Sequence, residues 1–193
     1  MIAKDDQILF ERYQYARTGT DKFISQSMVK SITGLLLGIA VSEGAIRSVD
    51  DIPEAYVSGF SGTEYGRTPI RDLLHMSSGV DFGEERDGGR DLNRLWNDLG
   101  IGFSNTKKGT VKSIVQFNRR IAPPGTRFHY ASIEPDVLGM VLRNAVNKSA
   151  SDYLRGKIWK PIGAEADLAA TSRKDSRCLV RTVRDRPRGH FAI

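Results

Sequence analysis

Apolar and polar positions along the chain divide it into a short stretch of strand pattern and a long stretch of helix pattern. Residues 7–15 (Gln-Ile-Leu-Phe-Glu-Arg-Tyr-Gln-Tyr) are rich in β-branched and aromatic types and predict a strand. Asp5-Asp6 before them suits a tight turn, with Ile2-Ala3-Lys4 as a partner strand. A two-stranded ribbon is marginal by itself and needs further strands or a covering helix. From Ser27 to Glu43 the pattern is helical, with Met28, Val29, Ile32, Leu35, Leu36, Leu37, Ile39, Ala40 and Val41 apolar. A helix apolar on nearly all sides is expected to be buried, and Gly44 supplies a left-handed stop.

Shorter helices follow. Thr68-Pro69 opens one that runs through Met76 and closes at Ser77-Ser78-Gly79, since proline is tolerated in a first turn. Residues 83–89 are charged and glycine-rich and read as a surface loop. Residues 91–99 and 110–119 are modest helices, and Pro123-Pro124-Gly125 is a turn. Ser132 is placed to cap a helix over 133–147, where Val137, Leu138, Val141, Leu142 and Ala145 recur at helical spacing. Ser149 caps one more, through Ile158, stopped by Pro161. From Arg173 onward no period fits, and apolar residues are too few to offset the entropy of ordering. Residues 1–172 are therefore expected to form one partial domain, and 173–193 a disordered tail.

Composition changes this picture in two places. The 193 residues carry a net charge of +6, but residues 173–193 hold seven Lys or Arg against two Asp, so the first 172 are nearly balanced. A nucleic-acid face would show as a basic stripe within the folded body, so no nucleic-acid partner is expected. The longest uncharged apolar run, residues 31–42, is too short for the ~20 residues a membrane span needs. The N-terminus lacks a signal-peptide pattern, which makes a cytoplasmic location the expectation. A single cysteine, Cys178, excludes an internal disulfide framework. His75, His129 and His190 share no ligand-like spacing, so neither a metal nor another cofactor is expected.

Candidate chemistry centres on Ser27-Met28-Val29-Lys30. A serine at a helix start and a lysine three residues on lie on one face, a turn apart. A lysine partly withdrawn from water can accept the serine proton, the logic of Ser-x-x-Lys acyl-transfer nucleophiles. Spacing is weak support, because a second such pair occurs at Ser104–Lys107 in a polar loop. A further feature is Tyr130, set between the Pro124-Gly125 turn and Ser132, a rigid place from which a phenol can act as base or relay a proton. The alternative is a buried tyrosine bonded to a loop carbonyl.

These runs (Ser25 to Gly34; Glu43 to Ile46; Leu73-Leu74-His75-Met76-Ser77-Ser78-Gly79; Pro124-Gly125 leading to Tyr130-Ala131-Ser132) resemble the β-lactamase-related serine hydrolases, over about residues 7–170. That superfamily includes class C β-lactamases, DD-peptidases, esterases and 6-aminohexanoate-dimer hydrolases, the last the nearest through the Ser-Met-x-Lys-Ser and Tyr-x-Ser forms. The resemblance implies an α+β fold of β-lactamase/transpeptidase type, mostly its helical part with an incomplete antiparallel sheet, and a small-molecule amide or ester substrate. It makes Ser27 the acylated nucleophile, Lys30 its proton acceptor and Tyr130 the second base or acid. The Ser27 N–H would be half of an oxyanion hole, and Ser132 and His129 would line the substrate site. The chain departs from the pattern too. No Lys- or His-small-Gly triplet follows Tyr130, since Lys107-Lys108-Gly109 precedes it, and Ser132 stands where β-lactamases usually have asparagine. The expectation is a hydrolase lineage, with a truncated, inactive remnant as the alternative for this chain.

Overall fold

Helices in the computed structural model far outweigh strand. The structure describes residues 2–5, 7–19, 21, 27–84, 89–100 and 108–164. Strands β1 (Ile2–Lys4) and β2 (Gln7–Phe10) pair antiparallel about Asp5, whose positive φ of 49° makes the turn. The register pairs Lys4 with Gln7, Ala3 with Ile8 and Ile2 with Phe10. Leu9 is thus the extra residue of a bulge. The second strand is shorter than its apolar pattern predicts, and Tyr15 and Ala16, both at positive φ, turn the chain beyond it. Both faces of the ribbon are exposed, including Ile2, Ile8, Leu9 and Phe10.

Among the described residues six helices follow: α1 (Met28–Ser42), α2 (Ile70–Leu74), α3 (Arg90–Asp98), α4 (Thr110–Val115), α5 (Ile133–Val146) and α6 (Ala150–Leu154), the last running into a π-helical turn at Arg155–Trp159. Two 3₁₀ turns, Pro53–Ala55 and Ser58–Phe60, lie between α1 and α2. The predicted boundaries at residues 27–43 and 133–147 hold to within a residue or two. The helices expected to reach Met76, Arg119 and Ile158 end sooner, at Leu74, Val115 and Leu154. Gly44, at φ 73°, stops α1 as expected.

The helix at the centre is α5, not α1. Every residue of Ile133–Leu142 is buried, because α1, α2, α6 and the Pro53 turn all pack on α5. Helix α1 buries one face, Val29, Thr33, Leu36, Leu37 and Ala40, and leaves Met28, Ser31, Leu35, Gly38 and Ser42 exposed along the other. The expectation that α1 is enclosed is therefore corrected. An apolar pattern shows what a helix could bury; the neighbours decide what it does bury.

A loop-on-loop ladder connects this core to the segment that carries Tyr130. Residues 76–81 run beside 119–129, with Asp81 N–H to the Arg119 carbonyl (2.8 Å), Ile121 N–H to Gly79 (2.8 Å), Gly125 N–H to Ser77 (2.8 Å) and His129 N–H to Met76 (2.7 Å). Gly79 is required here. Its φ is +72°, and a Cβ would lie 1.9 Å from the Ala122 carbonyl oxygen. Arg120 secures the crossing from inside, through Glu64 Oε2 (2.5 Å), Thr68 Oγ1 (2.9 Å) and the carbonyls of Glu64 and Ser78. The sequence-based boundary at 172/173, the basic tail with Cys178 and His190, and the Ser104–Lys107 pair lie outside the described residues.

Candidate active site

Ser27 precedes the first turn of α1 with helical φ and ψ (−67°, −11°), and its hydroxyl caps nothing in the helix. The oxygen is left for two other donors. Lys30, one turn on, places Nζ 3.0 Å from Ser27 Oγ. Tyr130, 103 residues away in sequence, brings its hydroxyl to 2.8 Å from the same oxygen. Lys30 Nζ also lies 5.0 Å from the centre of the Tyr130 ring, within cation–π range. The three side chains meet at one point, at the exposed N-terminal end of α1. The Tyr130 hydroxyl is thus bonded to Ser27 on an exposed side chain, unlike the alternative of a buried tyrosine held by a loop carbonyl. A serine oxygen that accepts from two polar hydrogens is one on which negative charge can develop.

The other two candidates lie beside this triad and are engaged elsewhere. His129 directs Nε2 to the Phe82 carbonyl at 2.7 Å. A carbonyl only accepts, so Nε2 carries the proton in this bond. Ser132 is buried, and its hydroxyl donates to Glu84 Oε1 at 2.6 Å while its N–H donates to Glu84 Oε2. Ser132 does not cap α5 with its side chain, contrary to expectation. Glu84 was missed by the sequence reading, which saw it as one charge in a polar loop. Lys108 is held by Asp98 (2.9 Å), and Gly109 starts α4 at φ 81°, so this pair serves the α3–α4 junction.

Behind the site α5 carries buried acid. Glu134 accepts the Ser78 hydroxyl at 2.5 Å. Burial pushes its carboxyl from the ordinary 4.5 to about 7; the two hydrogen bonds from Ser78 oppose the rise, and Asp72 adds to it. Among the described residues, no group of three or more His, Cys, Asp or Glu could hold a metal ion, and no helix is long and apolar enough to cross a membrane.

A serine bonded by a lysine one turn on and by a distant tyrosine, on a largely helical body with a two-stranded sheet, points to one class of protein. The Beta-lactamase family matches residues 1–190, and the chain belongs to that family. The 6-aminohexanoate-dimer hydrolase of Paenarthrobacter ureafaciens is 22% identical over 174 residues, 89% of this chain and 44% of that protein. Among solved structures, a D-stereospecific amidohydrolase from Streptomyces sp. superposes with a TM-score of 0.61 at 21% identity, over 78% of this chain and 45% of that one. A class C β-lactamase gives a TM-score of 0.58 at 17% identity, over 77% of this chain and 36% of the other. The fold is α+β and β-lactamase/transpeptidase-like. The chain spans less than half the length of the curated relatives it matches.

Proposed function

We propose that the chain carries the acylating centre of a serine hydrolase that cleaves small-molecule amides or esters through an acyl-enzyme at Ser27. The observation that carries this reading is the convergence of Lys30 Nζ and Tyr130 OH on Ser27 Oγ, at 3.0 and 2.8 Å. For attack, the hydroxyl proton of Ser27 passes to whichever of the Lys30 amine or Tyr130 phenolate is unprotonated, as Oγ adds to the substrate carbonyl carbon. The Ser27 N–H lies just ahead of the first turn, has no intrahelical acceptor, and can bond the oxyanion. Collapse breaks the amide or ester bond, and the captured proton goes to the departing amine or alkoxide. Water then attacks the acyl-Ser27 ester by the reverse route and regenerates the serine. The amide hydrolase names among the relatives support the bond class; they do not choose the substrate.

A second reading has an observation of its own: among the described residues no strand follows Phe10, and no Lys- or His-small-Gly triplet follows Tyr130 in the sequence. On this reading the 193-residue chain is a catalytically inactive remnant of such a hydrolase, since a lost oxyanion donor alone costs ~10²–10³ in rate in a serine protease.

Both readings meet in one experiment. The purified chain is treated with a fluorophosphonate and with p-nitrophenyl acetate, and intact mass, the modified peptide and steady-state turnover are measured. The expected result is a covalent adduct on Ser27, absent in Ser27→Ala and at least 100-fold slower in Tyr130→Phe, a usual scale for a proton-transfer group. Labelling elsewhere, or undiminished in Ser27→Ala, overturns the proposal. Turnover of p-nitrophenyl acetate that disappears in Ser27→Ala overturns the second reading.

A further inference from the structure

Tyr130 reaches Ser27 from the loop before α5, whereas Lys30 lies on α1 itself, so the aim of Tyr130 depends on what fixes its neighbours. On the N-terminal side His129 is tied by its N–H to the Met76 carbonyl and by Nε2 to the Phe82 carbonyl, both at 2.7 Å. On the C-terminal side Ala131 and Ser132 are buried, and Ser132 gives both of its hydrogens, N–H and Oγ–H, to one carboxylate, that of Glu84. Phe82 and Glu84 belong to the same short segment. That segment is itself anchored, because Gly83 N–H donates to Asp91 Oδ2 (2.9 Å) in the first turn of α3. The Glu84 carboxylate also lies at the N-terminal end of α5, where the helix field favours negative charge. A continuous set of bonds thus runs from Asp91 through Gly83 and Glu84 to Ser132, two residues from Tyr130.

We propose that Glu84 is a positioning residue for Tyr130: by gripping Ser132 with both carboxylate oxygens it holds the loop in the one setting that brings the Tyr130 hydroxyl to Ser27 Oγ. The proposal rests on the reading of Ser27 as the acylated serine. It goes beyond that reading by assigning a task to a residue outside the triad and by making Ser132 a handle on the loop. Removing the carboxylate leaves both donors of buried Ser132 without their acceptors and releases the loop from the grip that sets it. A displacement of about 1 Å in a catalytic group can cost 10²-fold in rate.

The test uses the full 193-residue chain and two readouts. Ser27 acylation by a fluorophosphonate is timed in Glu84→Ala, Tyr130→Phe and the double variant. Glu84→Ala should slow acylation at least 10-fold when Tyr130 is present and less than 2-fold when it is phenylalanine. Glu84→Gln, which can still accept the Ser132 N–H, should recover to within about 3-fold of the parent. In parallel, the protein is labelled with ¹³C at tyrosine Cζ; there are six tyrosines, and the Tyr130 signal is assigned by its loss in Tyr130→Phe. That signal should move in Glu84→Ala, with the Tyr65 and Tyr153 signals in place. An unmoved Tyr130 signal, or an equal loss of rate in both backgrounds, overturns the proposal. Should the parent not acylate at Ser27, the functional reading fails and the tyrosine signal decides the positioning role by itself. Should Glu84→Ala not fold, Ser132→Ala, which removes only the hydroxyl bond, must displace the same signal or the proposal falls.

Discussion

Glu134 provides a quantitative test of how the fold is built. It lies in the first turn of α5 at 1% exposure, with Ser78 bonded to Oε1 and Asp72 adding negative charge nearby. Burial is the main cause of its rise from 4.5 to about 7. Tyr65 is buried beside it, and its phenol is pushed well up by burial first and by the charge of Glu134 second. Glu134 binds a proton more tightly in the folded chain than in the unfolded one, so its contribution to stability is complete below pH ~4.5 and is lost as pH rises through about 7. The interval between the two values corresponds to about 3 kcal/mol, at about 1.4 kcal/mol for each pH unit. Glu134→Gln keeps the shape and an acceptor for Ser78 but cannot ionise. Denaturant and thermal unfolding of both proteins from pH 4.5 to 8 should show the variant gaining about 3 kcal/mol on the parent across that range, a swing on the order of 10 °C for a chain of this size. The subtraction cancels carboxylates shifted the other way, such as Glu64, which the Arg120 hydrogen bond holds below its ordinary value. Parallel curves for the two proteins would refute the reasoning, because they would mean that Glu134 is ionised equally in both states.

Two further perturbations test the ladder that carries Tyr130. Gly79→Ala should destabilise by about 3 kcal/mol or more, since the new Cβ meets a backbone carbonyl at positive φ; Gly44→Ala, at φ +73° with nothing within 4 Å, should cost only about 1 kcal/mol. Comparable losses in denaturant unfolding for the two variants would show that the close approach at Gly79 carries no weight. Arg120→Met should cost about 3 kcal/mol, because Thr68 is fully buried and the Glu64 carboxylate loses its closest cation; a midpoint within 0.5 kcal/mol of the parent would remove Arg120 from the account of the ladder.

What the sequence made legible is what local spacing encodes. Ser27 and Lys30 are one turn apart whatever surrounds them, and a tyrosine between a Pro-Pro-Gly turn and a helix start is a marked position. Their meeting across 103 residues followed only from the resemblance to a family. Glu84 had no such signal. A carboxylate in a glycine-rich charged loop looks the same whether it faces water or grips a serine 48 positions away. The exchange of roles between α1 and α5 has a similar origin. Helix α1 is the more apolar of the two, but α5 has neighbours on every side, and its acids Glu134 and Asp136 are buried with it. Hydrophobic pattern ranks helices by what they could bury, whereas burial is settled by contacts distant in sequence.

Among the described residues three serines stand immediately before α-helices, and the difference among them separates structural from candidate functional positions. Ser149 has extended φ and ψ (−62°, 144°), and its hydroxyl accepts the Asp152 N–H at 3.0 Å, as a cap should. Ser27 and Ser132 instead hold helical φ and ψ (−67°, −11° and −64°, −11°), which turn their hydroxyls away from the first-turn N–H groups. Each forgoes a contribution of about 1 kcal/mol that a side-chain cap typically makes. Both hydroxyls are bonded elsewhere: Ser27 to Lys30 and Tyr130, Ser132 to Glu84. Local preference and observed structure agree at the serine that has only a helix to start. They part at the two that belong to the proposed site and its support, which is where a fold shaped by function is expected to break its own local rules.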